Sequence, residues 1–259
     1  MEKITSRKNE YIRTLRALSL DGELRRERRE YVCDGRKLLR EALSSGEEVT
    51  GVLWKNEAFP AELPDGVRQT LADGELFDYV SPLKNSPGPL FTVRMPGEDW
   101  DAPLGNALVL ENVQDPGNVG TLLRTANAFG IDAVILCGDC ADLYHPKTVR
   151  STMGAIFRQR VLTADLGALK ALLKKNSLPL YGAALHRDSA LITELKLSSA
   201  AVAVGSEGQG LSEALLALCE RTVFIPILPQ SESLNAAVAG SLILWEMVRK
   251  ESAGHSGQA

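Results

Sequence analysis

The stretch Leu110 to Gly130, LENVQDPGNVGTLLRTANAFG, constrains the fold of this 259-residue chain more than any other. Ala107 to Glu111 is an apolar run of strand length, and Asp115-Pro116-Gly117-Asn118 is turn chemistry. Leu122, Leu123, Ala126 and Phe129 then recur at helical spacing. Strand, tight loop and helix in that order put the loop at the carboxyl end of a strand. Open α/β sheets hold anionic ligands there, against the N–H groups that open the helix. Arg124 falls about two turns into that helix, on a surface where a lone arginine most often only decorates a solvated face.

Two later segments share this design. Ala200 to Val204 is a short apolar run followed by Gly205-Ser206-Glu207-Gly208-Gln209-Gly210-Leu211-Ser212. Its three glycines allow close backbone approach, and Ser212 is suited to cap the next helix. Val223-Phe224-Ile225 reads as a strand running into Pro226-Ile227-Leu228-Pro229-Gln230-Ser231-Glu232-Ser233-Leu234-Asn235, and a closing helix is expected from about Ser233 to Lys250. Strands are expected at 107–111, 133–137, 178–184, 200–204 and 222–225, alternating with helical patterns. Such alternation predicts an α/β fold with a parallel sheet covered by helices on both faces.

Taken singly, the glycine loop is a turn, Arg124 is solvated, and Ser233 and Asn235 are helix caps. Taken together and in this order, the three blocks resemble the signature motifs of the SpoU family of S-adenosylmethionine-dependent RNA ribose 2′-O-methyltransferases, within the SPOUT superfamily. The resemblance implies a C-terminal deep trefoil knot in which S-adenosylmethionine lies bent and is held mainly by backbone. Gly205, Ile225 and Leu234 would line the cofactor, with Gly210, Pro226 and Leu228 in the loops that wall it. Arg124 would be the central catalytic residue, which in the family has been proposed as the base. A guanidinium is effectively always protonated, so clamping a phosphate and stabilising an alkoxide is the alternative role. Asn118 and Asn235 would orient the ribose and Arg124, and Ser233 would contact the hydroxyl or relay its proton. Glu207 would either pair with Arg124 or fix its loop. The stretch Asp142 to Ala155, DLYHPKTVRSTMGA, resembles a family segment beside the active site, where Arg150 and Ser151 would reach RNA or a partner subunit. Lys147 reads equally well as part of the cap of an ordinary crossover helix, and His145 reads better as one.

The formal net charge of −4 is not that of an RNA-binding surface, but residues 1–40 hold twelve Lys or Arg against seven acids. Ser6-Arg7-Lys8-Asn9, a helical pattern, and then Tyr31 to Leu43 resemble the small α/β RNA-substrate-binding domain that many SpoU enzymes carry, with Lys8 and Arg36 as candidate RNA contacts. The run Arg25, Arg26, Arg28, Arg29 is either part of that surface or a solvated helix face. Prolines and glycines crowd between Pro82 and Pro103. They suggest an RNA-binding domain over 1–95, a linker at 96–104, a catalytic domain over 105–252 and a disordered tail at 253–259. No apolar run reaches membrane-spanning length, and MEKITSRKNEY lacks the apolar core of a signal peptide. A cytoplasmic protein without membrane contact is expected, with Cys33, Cys137, Cys140 and Cys219 reduced. The lone CxxC at Cys137–Cys140, without a second pair, predicts no metal. The expected partners are RNA, ribosomal in preference to transfer RNA, and a second copy of the chain docked through the closing helix. Two other readings stay open: a base-methylating knotted enzyme, and a catalytically silent RNA-binding protein on the same fold.

Overall fold

The computed structural model describes residues 1–57, 63–185, 188–228, 230 and 233–252. The expected tail at 253–259 lies outside the described residues. The chain forms two compact units, one of Met1–Gly97 with Asp142–Arg158, the other of Glu98–Ala141 with Gln159 onward.

The first unit runs β1 (Glu2–Ile4), α1 (Glu10–Leu20), α2 (Gly22–Arg28), β2 (Glu30–Asp34), α3 (Arg36–Ser44), β3 (Val49–Lys55), β4 (Arg68–Ala72), α4 (Gly74–Val80) and β5 (Leu90–Arg94). Its sheet has the order β1-β4-β3-β5-β2; β1, β4 and β3 are mutually parallel, and β5 is antiparallel to both neighbours. Helix α1 begins where Asn9 Oδ1 accepts from the N–H groups of Tyr11 and Ile12, and Asp21 caps α2 in the same manner. Ile12, Leu15 and Leu18 of α1 are buried with Leu53, Phe77 and Leu90, while Tyr31, Trp54 and Phe91 belong to a second core.

The second unit holds β6 (Ala107–Glu111), α5 (Pro116–Ala128) and β7 (Ala133–Cys137) before the chain passes through α6 (Pro146–Ser151) of the first unit. It continues with β8 (Val161–Ala164), α7 (Leu166–Lys175), β9 (Leu180–Ala183), β10 (Ala190–Leu191), β11 (Ala201–Val204), α8 (Glu213–Leu216), β12 (Arg221–Phe224) and α9 (Ala236–Ser252). The strands form one all-parallel sheet, β10-β12-β9-β11-β6-β7-β8. Five of the seven stand where the apolar runs predict them. The others, β8 and β10, are short edge strands whose sequences carry too little period to announce themselves.

Alternation along the strands sorts the helices onto two faces. Ala107, Val109, Ala133, Ile135, Ala201 and Ala203 pack with Leu169, Leu172 and Leu173 of α7 and Leu215 of α8. The opposite face is covered by α5 and α9, which approach closely: a Cβ added at Gly240 would lie 2.4 Å from Leu122 Cδ2. Of the expected linker at 96–104, residues 98–104 are tied into this unit. Glu98 accepts from the Thr163 N–H at 3.1 Å, Trp100 packs on the core, and Asn176 Oδ1 accepts from the Leu104 N–H at 3.1 Å.

Segment 142–158 departs from the expectation of one continuous domain over 105–252. Val149, Ile156 and Phe157 are buried in the first unit's core with Tyr31, Cys33 and Phe91. The Tyr144 ring lies 4.6 Å from that of Tyr31, and Arg158 pairs with Glu41 at 2.6 Å. Its anchor is Asp142, whose Oδ2 pairs with Arg25 at 2.5 Å. Its Oδ1 accepts from the Tyr144 N–H, and its carbonyl accepts from Thr148 Oγ1. His145 caps α6, Nδ1 accepting from the Lys147 N–H; burial lowers its pKa and so favours the neutral ring that can accept. Arg25 therefore does not belong to an exposed basic face. It is 2% exposed and also donates to the Leu18 carbonyl. Arg29 in turn donates to the Pro96 carbonyl at 2.9 Å. Asp142→Ala, which strands a buried guanidinium, is expected to cost about 2 to 4 kcal/mol in urea denaturation. Arg26→Ala, one residue along on the exposed side, should stay within about 0.5 kcal/mol.

Candidate active site

Each of the three motif blocks is shaped locally before it meets the others. At the end of β6, Glu111 is 5% exposed. Its two oxygens accept from the Ser212 N–H at 2.7 Å and the Ser212 hydroxyl at 2.6 Å. Ser212 Oγ in turn accepts from the Leu215 N–H and so caps α8. The loop after β11 closes on itself, with the Gly210 N–H donating to the Ser206 carbonyl at 2.9 Å. A Cβ on Gly205 would fall 2.2 Å from the Gly210 carbonyl, and Gly210 has φ +68°. Gly205 therefore admits no side chain, and Gly210 holds a left-handed conformation that glycine adopts without strain. The loop after β6 is turned into α5 by Asp115, which accepts from the Asn118 N–H at 3.0 Å, with Pro116 at the start of the helix.

Asn118 then joins the three blocks. Its Nδ2 donates to Glu207 Oε1 in the loop after β11. Its Oδ1 accepts from Asn235 Nδ2 at 3.1 Å. Asn235 has a second task, because its Oδ1 accepts from the N–H groups of Ala237 and Val238 and starts α9. The closing helix accordingly begins at Ala236, three residues later than expected. Arg124 and Ser233 are exposed and form no hydrogen bond or ion pair with the described residues. Glu207 thus contacts Asn118 rather than Arg124. Of its two expected roles, only that of fixing the loop has a partner here.

Of the expected cofactor residues, Gly205 is buried, Ile225 and Leu234 are half-buried, and Gly210, Pro226 and Leu228 are exposed. Pro229, Ser231 and Glu232 of the third block lie outside the described residues. Gly205 admits no side chain, and Ile225, Pro226, Leu228 and Leu234 are apolar, a set of residue types that fits a ligand with a flat ring held by main-chain groups. The donor set suits S-adenosylmethionine on that account. Lys8, Arg36 and Arg150 are exposed side chains of the first unit, and Ser151 Oγ donates back to the Lys147 carbonyl. The four cysteines are free. Burial pushes the Cys137 thiol up to about 12 and raises Cys140, whose Sγ faces the carbonyls of Leu110 and Cys137. Among the described residues no group of His, Cys, Asp and Glu is placed to hold a metal.

Sequence reasoning overlooked Glu111. Its one signal was an acidic residue ending an otherwise apolar strand, ALVLE, where burial demands a partner.

The chain is similar to known proteins along nearly its whole length. It is 32% identical to the 23S rRNA (guanosine(2553)-2′-O)-methyltransferase RlmP of Bacillus subtilis, over 95% of this chain and 99% of that protein. Among solved structures it matches an RNA 2′-O ribose methyltransferase at 31% identity and TM-score 0.82, covering 96% of this chain and 99% of that one. The SpoU methyltransferase AviRb of Streptomyces viridochromogenes, solved with AdoMet, matches at 26% identity and TM-score 0.83 over 95% of this chain and all of that one. The SpoU rRNA Methylase family model matches residues 105–245, so the chain belongs to the SpoU rRNA methylase family.

Proposed function

We propose that this protein transfers a methyl group from S-adenosylmethionine to a ribose 2′-hydroxyl of ribosomal RNA, of the 23S type carried by its relatives. The observation that carries the reading is the junction at Asn118, which ties the three motif blocks into one polar cluster at the carboxyl ends of β6 and β11. Such a cluster has no task in holding the sheet, which is complete without it. The C-terminal trefoil knot, the cytoplasmic location and the assignment of site residues belong to the same proposal and rest on family membership.

S-adenosylmethionine, when bound, supplies a methyl group already activated by its sulfonium charge. The protein has to align the hydroxyl and steady the negative charge that grows on its oxygen. Arg124 is exposed, and a guanidinium is a standing positive charge. It clamps a phosphate beside the target ribose and stabilises the alkoxide, while solvent takes the proton, directly or relayed through the Ser233 hydroxyl. Asn118 and Asn235 orient the ribose through amide groups already fixed by one another. A knotted base methyltransferase would have no use for this amide pair beside Ser233. Incubating rRNA from cells lacking the gene with enzyme and S-adenosylmethionine, then mapping ribose methylation at nucleotide resolution, should reveal one new 2′-O-methyl site. Methylation of a base nitrogen would overturn the reading.

Arg124→Ala should lower the rate of methyl transfer by at least about 100-fold, the usual cost of removing one donor to a developing oxyanion. Calorimetry should find its affinity for S-adenosylhomocysteine within about threefold of the parent, since the expected cofactor residues are elsewhere. Loss of cofactor binding in the folded variant would remove Arg124 from its catalytic role.

The assembly is a homodimer through α9. Val238, Leu242 and Trp245 stand 49%, 44% and 47% exposed at helical spacing, an apolar stripe costly to leave in water. Light scattering at micromolar concentration should give twice the chain mass, and Val238→Glu with Leu242→Glu should give the monomer. A monomeric parent would refute the dimer.

A further inference from the structure

A cavity of about 210 Å³ opens in the first unit, lined by Asp34, Gly35, Lys37, Leu38, Glu41, Leu83, Pro87, Arg150 and Met153. A cavity of about 150 Å³ takes a benzene ring, so this one has room for a larger planar group. Its apolar wall comes from Leu38, Leu83, Pro87 and Met153. Met153 is 46% exposed although large and apolar, and holds φ +51°, a left-handed conformation that side chains seldom adopt. Methionine is well suited to stack on a flat π-system.

The polar groups are divided unevenly. The two carboxylates are already engaged: Asp34 accepts from the hydroxyls of Ser81 and Ser86, and Glu41 pairs with Arg158. The two cations, Lys37 and Arg150, donate to none of the described residues. Both line the cavity near the start of α3, whose N-cap, Gly35, offers no side chain to the first-turn N–H groups. Arg150 lies near the Asp34 carboxylate without hydrogen-bonding it, and an apolar slot flanked by two cations that form no hydrogen bond with the described residues matches a ligand that is flat at one end and anionic at the other.

We infer that this cavity receives one unstacked nucleotide of the RNA substrate, with its base against Met153, Leu83 and Pro87 and its phosphate between Lys37 and Arg150. The inference rests on the RNA methyltransferase reading, and gives the first unit a specific contact in place of a diffuse basic surface. It also explains why segment 142–158 is anchored by Asp142 and Arg158, because both Arg150 and Met153 stand between those two anchors.

Methyl-labelled methionine supplies the test, since the chain has only Met1, Met95, Met153 and Met247. The protein is first saturated with S-adenosylhomocysteine, which closes the cofactor site to nucleotides. Millimolar AMP, GMP, CMP or UMP should then move the Met153 methyl resonance saturably, assigned through Met153→Leu. The corresponding nucleosides and inorganic phosphate should bind more weakly. In the double variant Lys37→Gln, Arg150→Gln, affinity should fall about tenfold, the scale of a lost charge-assisted contact, with the buried Met95 and Met247 resonances unmoved as a check on folding. A Met153 resonance that ignores all four monophosphates, or moves equally in the double variant or with phosphate alone, would overturn the inference. If methyl transfer to rRNA proceeds while Met153 stays still, only the pocket falls. If Met153 responds but no methyl is transferred, the nucleotide site stands and the proposed activity falls.

Discussion

The rest of the candidate site depends on the side-chain amide of Asn118. A parallel sheet delivers its connecting loops to the carboxyl end of the strands, but its ladder gives those loops no hydrogen bonds to one another. Something must bridge them, and the bridge has to give a proton on one side and accept one on the other. A primary amide does both with one short, stiff group. Asn118 donates to Glu207 and accepts from Asn235, so the loops after β6 and β11 and the start of α9 share one anchor. An aspartate there would face the Glu207 carboxylate with no proton to give, and a serine would be too short to span both. Behind this junction, Glu111 performs the same service in buried form, holding Ser212 and thereby the far end of the glycine loop.

The second unit was largely legible because its strands are buried on both faces and read as near-continuous apolar runs such as ALVLE and AVILC. Turn residues mark the loops between them, and the first motif block gave away the position of Asn118. What the residues could not give was partnership. Nothing near Arg25 in sequence indicates that its charge is spent on Asp142, more than a hundred positions along the chain. The same holds for Arg29, whose guanidinium caps a carbonyl at Pro96. A run of arginines looks alike whether its members face solvent or a buried carboxylate. Only the fold separates Arg25, which is buried, from Arg26, Arg28 and Arg29, which are exposed.

Segment 142–158 shows a different limit. Sequence order assigns it to the catalytic half, because it lies between β7 and β8. Burial assigns it to the first unit, since Val149, Ile156 and Phe157 have their apolar partners there. Burial of apolar surface is the larger energy, amounting to about 2 kcal/mol for each such side chain. An excision at residue 95 would strip those three side chains of their cover and Asp142 of its counter-ion. Domain boundaries drawn where prolines and glycines accumulate mark where the chain is free to bend. They do not mark where its core ends.

The candidate site divides into residues that are already satisfied and residues that are not. Asn118, Glu207 and Asn235 hold one another in place, so their positions require no ordering when a substrate arrives. Arg124 and Ser233 are exposed and form no hydrogen bond with the described residues. A guanidinium in that condition draws its partner from outside, and a nucleic-acid backbone brings a phosphate for every ribose. Because the arginine cannot shed its own proton, the anion it meets decides what it does. Against a phosphate it is a clamp, and beside a hydroxyl losing its proton it is the positive charge that makes the loss easier. In the proposed reaction the fixed amides would set where the ribose sits, and an arginine with no partner among the described residues would act on charge that only the RNA provides.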